Sequence, residues 1–227
     1  LEHRDLPKVF TEDRLEVITL LLAQATISLE NARLFRDIYQ LNRELEEKVK
    51  DRTAALQTAV DKLQYLATRD SLTGLFNRRH FMECAEKEFV SAQKENSALG
   101  VMILDIDFFK QVNDNYGHPV GDKVLISVSQ HCQGILAKGG IFGRIGGEEF
   151  GVVLPNTSAK AALAWAQSLV DSMHTLAVDS EKGAINVTLS IGLAQADLDQ
   201  ETTKQVLERA DKALYEAKEA GRNCVRH

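Results

Sequence analysis

Ile141-Phe142-Gly143-Arg144-Ile145-Gly146-Gly147-Glu148-Glu149-Phe150-Gly151-Val152-Val153-Leu154 decides the reading of this chain. Ile141 to Ile145 reads as one strand and Phe150 to Leu154 as the next, with Gly-Gly-Glu-Glu at the tip of the hairpin between them. Glycines there permit a tight turn and let a ligand approach the backbone closely. Two adjacent carboxylates on an exposed tip repel each other, and folding stability does not ask for them. A divalent metal would neutralise them, and a metal held there could bind nucleotide phosphates. Taken alone, the same tetrapeptide also reads as a solvated acidic turn.

Working outward, Ala98 to Ile106 is a near-continuous apolar run that reads as a buried strand. Val120 to Leu136 follows as a helix, then the hairpin. Ser158 to Leu176 is a second helix, with Ala162, Trp165, Ala166 and Leu169 on one face. Ile185 to Ala194 reads as another strand, and Thr203 to Ala220 as a third helix with Gly221 at its C-cap position. The order β-α-β-β-α-β predicts an α+β domain with a ferredoxin-like antiparallel sheet and flanking helices.

The first part of the chain has a different texture. From Thr11 to Thr68 there is neither proline nor glycine, so nothing interrupts a helix. Apolar residues recur at Leu15, Ile18, Leu22, Ala25 and Leu29, then at Leu34, Ile38, Leu41, Leu45, Val49, Leu56, Ala59, Leu63 and Leu66. Arg43, Glu44, Glu46, Glu47, Lys48, Lys50, Asp51 and Arg52 supply the mixed-charge exterior of a two-stranded coiled coil. Leu41, Leu45 and Val49 take two successive steps of four, a stutter that locally unwinds such a coil. Residues 37–68 would make a rod of roughly 48 Å at ~1.5 Å per residue.

Composition limits the function classes. The chain has 227 residues, 44% of them hydrophobic, enough for one medium domain and an appendage. A net charge of -6 argues against broad nucleic-acid binding, yet permits an anionic nucleotide held by a few local cations. Cys84, Cys132 and Cys224 lie far apart, fit neither a disulfide framework nor a zinc site, and suit a reducing cytoplasm. No apolar run reaches the length of a membrane span, so no membrane contact is expected of these residues.

The chemistry is expected at Asp105, where a carboxylate ending a buried strand needs a partner or a metal. In the deduced topology the hairpin neighbours that strand. Asp105 and Glu148 would then converge on one metal across the sheet edge. Mg²⁺ fits best, because it takes few protein carboxylates and fills its other positions with phosphate and water; Mn²⁺ offers similar coordination. Downstream, Asn113 and Asp122 in a polar loop carry the amide and carboxylate that reading a guanine edge requires, although turn and cap chemistry uses the same residue types.

Six ordered blocks now resemble the GGDEF family of diguanylate cyclases, here in a GGEEF form: Asp70 to Arg79, Asp105 to Lys110, Asn113-Asp114 with Tyr116-Gly117-His118, Gly121-Asp122, Arg144 to Phe150, and Ala210 to Asn223. The resemblance covers about residues 68–227. It implies a palm-like fold and the condensation of two GTP into cyclic di-GMP and two pyrophosphates, with two domains face to face. It implies that Asp105, the Ile106 carbonyl and Glu148 hold Mg²⁺, with Glu149 either a second metal ligand or a helper in deprotonating the 3′-hydroxyl. Asn113 and Asp122 would recognise guanine. Phe108, Phe109, Lys110 and Gly147 lie where the nucleotide would bind, and Lys218 and Arg222, one helical turn apart, would take the terminal phosphates. Many members carry an Arg-x-x-Asp product-inhibition site, where this chain has Ala137-Lys138-Gly139-Gly140. The expectation is no product inhibition of the usual kind.

Residues 1–35 resemble the C-terminal end of a GAF sensor domain. The expected organisation is therefore a GAF-like remnant (1–35), a signalling coiled coil that makes a homodimer (36–68) and a catalytic domain (69–227), with a sensor upstream in a longer protein. A competing reading is a catalytically silent GTP-binding or dimerisation regulator. The intact Gly146 to Phe150, Asp105, Asn113 and Asp122 argue against it.

Overall fold

The computed structural model describes residues 12–136 and 139–227. The chain divides into two compact units, 1–62 and 63–227. Helix α1 (Glu12–Thr68) is a single 57-residue helix with none of its side chains buried. Glu12 and Asp13 occupy its first turn, where acids favour the positive end of the helix dipole. Leu15, Ile18, Leu22, Leu29, Leu34, Ile38, Leu41, Leu45, Val49 and Leu56 are all exposed. The helix runs unbroken through 35–36. Residues 1–11, with the strand expected of the sensor remnant, lie outside the described residues.

The second unit follows the deduced order and adds to it. After α1 come β1 (Phe76–Asn77), α2 (Arg78–Glu95), β2 (Leu99–Ile106), α3 (Phe109–Tyr116), α4 (His118–Ile135), β3 (Ile141–Arg144), β4 (Glu149–Pro155) and α5 (Ala159–Ser172). The chain continues through β5 (Ala177–Ser180), β6 (Gly183–Asn186), β7 (Leu189–Gln195), α6 (Thr203–Glu219) and β8 (Val225–Arg226). The main sheet has the order β1-β3-β4-β2-β7-β8. Its four central strands are mutually antiparallel, as the ferredoxin-like reading requires.

Strand β2 is buried along its whole length, because helices cover both faces. Met102, Leu104 and Ile106 join the core beneath α4 and α5, through Val124, Val128, Ala166 and Leu169. Leu99, Val101 and Ile103 point the other way, into the core of Phe81, Phe89, Val206 and Leu214 from α2 and α6. Two-residue alternation therefore sends Asp105 to the α2/α6 side. Gly192 of β7 lets α6 lie against the sheet, since a Cβ there would overlap the backbone of Ala210 and Leu214.

Three expectations are corrected. The strand expected from Ile185 to Ala194 is two elements: β6 pairs with β5 in a separate hairpin, and β7 begins only at Leu189. A run of β-branched residues hides the break. The helix expected to reach Leu176 ends at Ser172 and tightens into a 3₁₀ turn over Met173–Thr175. Helix α6 ends at Glu219, so Arg222 is not one helical turn beyond Lys218 but lies past the helix in a left-handed backbone conformation (φ 68°).

Candidate active site

The functional side chains gather at the carboxyl end of β2 and around the β3–β4 tip. In the register of β2 with β4, Asp105 faces Glu149, and Ile106 N–H donates to the Glu148 carbonyl at 3.3 Å. The meeting point is thus the end of two central strands rather than a sheet edge. Neither Gly146 nor Gly147 adopts the left-handed conformation. A Cβ on Gly146 would displace the Glu149 carboxylate, whereas Gly147 faces open space. Glu149 begins β4 instead of standing on the exposed tip.

Asp105 is 4% exposed, and Lys218 of α6 reaches it with Nζ 2.7 Å from Oδ2. Burial pushes the Asp105 carboxyl above the ordinary carboxylate range. The Lys218 hydrogen bond and charge oppose that rise, and the nearby charges of Glu149 and Asp107 add to it. Glu148 is raised too, by burial and then by the charge of Asp105, against the pull of Lys218. The site is a crowd of carboxylates restrained by one ammonium.

That chemistry suits a hard divalent cation. Among the described residues, no group of three or more His, Cys, Asp or Glu is arranged to hold a metal ion unaided. Two carboxylates raised by burial and by neighbouring carboxylate charge, Asp105 and Glu148, beside the Ile106 carbonyl, fit a cation that draws its remaining oxygens from phosphate and water.

The hairpin tip is held from behind by residues that sequence reasoning did not assign. Arg144 donates from Nε and Nη2 to the Gly147 carbonyl, at 3.1 and 2.7 Å, and from Nη1 to both oxygens of Asp70, at 3.1 and 3.3 Å. Asp70 also accepts from the Thr73 amide and hydroxyl. Burial pushes its carboxyl up, but the Thr73 and Arg144 contacts outweigh burial and hold it below its usual value. Both residues stand in the quoted motifs, but their pairing spans 74 positions and leaves no local signal.

The remaining expected residues flank the carboxylates. Phe108 caps α3 in a left-handed conformation (φ 57°), is 53% exposed, and lies under the Arg222 guanidinium at 4.6 Å from its ring centroid. Phe109 is buried in the core, and Lys110 is exposed on the first turn of α3. The Phe109 and Lys110 amides open that turn, while Gln111 N–H already donates to the Phe108 carbonyl at 2.8 Å. The Asn113 side chain sits directly on Gly121, where a Cβ would displace it, one residue from Asp122 at the start of α4. Asp122 is exposed. Ala137 and Lys138, half of the four-residue stretch that replaces the inhibitory motif, lie outside the described residues.

Residues 67–224 match the family described as "Diguanylate cyclase, GGDEF domain". The probable diguanylate cyclase DgcC of Escherichia coli strain K12 is 35% identical over 162 residues, covering 71% of this chain and 43% of DgcC. The chain thus spans less than half the length of that relative. The coiled coil and GGDEF domain of DgcB from Caulobacter crescentus, solved in complex with c-di-GMP, superposes with a TM-score of 0.74 at 29% identity, covering 80% of this chain and 98% of that one. The diguanylate cyclase SiaD from Pseudomonas aeruginosa, solved with its activator SiaC, gives a TM-score of 0.69 at 35% identity, covering 93% of this chain and 83% of that one. No helix among the described residues is long and apolar enough to cross a membrane.

Proposed function

The chain belongs to the GGDEF family of diguanylate cyclase domains, and from that premise we propose that it condenses two GTP into cyclic di-GMP and two pyrophosphates. The observation that carries this reading is the Asp105–Lys218 pair, set beside Glu148 and Glu149 at the end of β2. In each half-reaction the 3′-oxygen of one GTP forms a bond to the α-phosphorus of the other. The bond from that phosphorus to the bridging oxygen breaks, and pyrophosphate leaves with the electron pair.

Asp105, Glu148 and the Ile106 carbonyl would hold Mg²⁺, or Mn²⁺ in its place, with Glu149 as a further ligand or as the group that helps remove the 3′-hydroxyl proton. The bound metal supplies charge neutralisation on the polyphosphate. Lys218, Arg222 and Lys110 add positive charge there, while the amides of Phe108 and Phe109 and the open face of Gly147 border the phosphates. Asn113 and Asp122 bind the guanine edge and fix the sugar relative to the carboxylates. Positioning and electrostatic stabilisation then supply most of the rate.

One domain binds one GTP, so the reaction needs two. We assign that pairing to α1, whose exposed leucine and isoleucine stripe buries itself against a second copy as a coiled coil and raises the effective concentration of the two domains. The stutter at Leu41, Leu45 and Val49 lets an upstream sensor set whether the sites face. Regular heptads in its place should change the activity. Unchanged activity counts against that part. With neither Arg nor Asp in the 137–140 stretch, cyclic di-GMP should not inhibit in the usual way, and sub-micromolar product inhibition would contradict this.

The deciding experiment incubates the protein with GTP and Mg²⁺ and separates the products by chromatography, with Glu149→Ala as control. Cyclic di-GMP and pyrophosphate from wild type alone support the reading. GTP binding without product supports the silent regulator instead.

A further inference from the structure

Asp107 is the one buried carboxylate near the site that the proposed chemistry leaves unused. It lies one residue beyond β2 and is 4% exposed. No lysine or arginine pairs with it among the described residues, yet its hydrogen bonding is dense. Thr188 Oγ1 donates to Oδ2 at 2.6 Å, Ser190 Oγ donates to Oδ1 at 2.6 Å, and the Asn223 N–H donates to Oδ2 at 3.0 Å. Its own N–H donates to the Thr188 carbonyl at 3.0 Å. Short bonds to an ionised acceptor are the strong kind. The same charge raises Asp105 two residues away, so Asp107 works against the neighbouring carboxylates and must be held in place by what it organises.

What it organises is a strained turn. Gly221, Arg222 and Asn223 all have positive φ, at 107°, 68° and 47°. Phe108, next to Asp107, has φ 57°. Left-handed backbone is unfavourable for a non-glycine residue. Three of the five such residues among the described ones therefore adjoin this carboxylate. The turn is anchored at two amides, Arg222 N–H to the Ala217 carbonyl and Asn223 N–H to Asp107. Between the anchors, the Arg222 guanidinium is laid over the Phe108 ring. We infer that Asp107 is a positioning residue: it locks the 221–223 turn so that Arg222 is preset against Phe108 to receive the terminal phosphates of GTP. This rests on the phosphate role proposed for Arg222.

The test uses the full chain and four variants: Asp107→Ala, Asp107→Asn, Arg222→Ala and the double variant Asp107→Ala/Arg222→Ala. Asparagine keeps an acceptor for Thr188 and Asn223 and lets the Ser190 hydroxyl turn to accept, so it should hold the turn partly. Amide hydrogen exchange at Asn223 reads the anchor without any nucleotide. It should accelerate about tenfold in Asp107→Ala and less in Asp107→Asn, while β2 and β7 amides stay protected. Affinity for Mg²⁺–GTP should fall about tenfold in Asp107→Ala with affinity for GMP within about twofold, and the Asp107 change should add almost nothing to Arg222→Ala. Equal losses for GTP and GMP, or losses that add to Arg222→Ala, overturn the inference. If Asp107→Ala does not fold, unaltered Asn223 exchange and GTP affinity in Asp107→Asn overturn it as well. If Arg222→Ala leaves GTP affinity intact while the Asn223 amide still loosens, the phosphate role of Arg222 falls and the hold of Asp107 on the turn stands.

Discussion

Replacing Lys218 with Met removes the only cation among the described residues that touches Asp105 and keeps the aliphatic stem. The ammonium lies 2.7 Å from a carboxylate whose side chain is 6% exposed, while Lys218 itself is 31% exposed. Two unit charges about 4 Å apart attract by about 4 kcal/mol at an effective dielectric near 20, and partial solvent screening of the ammonium reduces this to about 2 kcal/mol. At about 2–4 °C per kcal/mol for a domain of this size, the melting temperature should fall by about 4–8 °C near neutral pH.

The dependence on pH follows from the direction of the Asp105 shift. Its folded-state pKa lies above the unfolded value. Its stability contribution is therefore full below the unfolded pKa and is lost as pH rises through the folded one. Losing Lys218 pushes the folded value higher, so the variant should lie furthest below wild type near pH 7.5 and approach it as the pH falls towards about 5. Glu148 is raised in the same direction and also loses the pull of the Lys218 charge in the variant, so the difference reports both carboxylates, with Asp105 the one that Lys218 bonds directly. The assay is thermal unfolding by circular dichroism in chelator, without nucleotide, across that pH range. A gap that does not change with pH, or no gap at pH 7.5, would refute the assignment of Lys218 as the group that keeps Asp105 charged.

Gly121→Ala should push the Asn113 side chain off its seat and raise the KM for GTP about tenfold with little loss of stability, since the displaced group is a side-chain end; steady-state kinetics and thermal unfolding separate the two. Gly192→Ala drives a Cβ into the backbone of Ala210 and Leu214, so α6 must shift, at a cost of about 3 kcal/mol or more, measurable by urea unfolding. Asp70→Asn should cost about 1–2 kcal/mol. Because the folded-state pKa of Asp70 is lowered, the stability it provides is present above about pH 4 and is lost as pH falls through the folded value. Acid titration of wild type and variant should therefore converge at low pH.

The fold was legible wherever periodicity was unambiguous. The 57-residue helix α1 announced itself by lacking glycine and proline, and β2 by its unbroken apolar run. The β5–β6 hairpin was not legible, because Ile185 to Ala194 is apolar and β-branched across the Val187-Thr188 break, and pattern alone cannot see a change of partner strand. The motif residues were legible as types, but the bonds that organise them were not. Lys218 reads as a solvated helix position until α6 is laid on β2. Asp107 and Asn223, 116 positions apart, share no local pattern. Four-residue spacing alone puts Arg222 one helical turn from Lys218, although Gly221 already marks the end of the helix, and Arg222 lies in a turn of left-handed backbone.

The Asp105–Lys218 pair also bears on which form of nucleotide the site accepts. Lys218 is already engaged by Asp105, so a bare triphosphate arriving there would meet a cation whose charge is committed elsewhere. Under the proposed roles, Asp105 and Glu148 would hold a metal that comes with the triphosphate, which would free the Lys218 ammonium to face the phosphates. Filling the site would then exchange one counter-ion for another at the carboxylates. Under the proposed roles, the protein discriminates between metal-loaded and metal-free nucleotide before any chemistry begins.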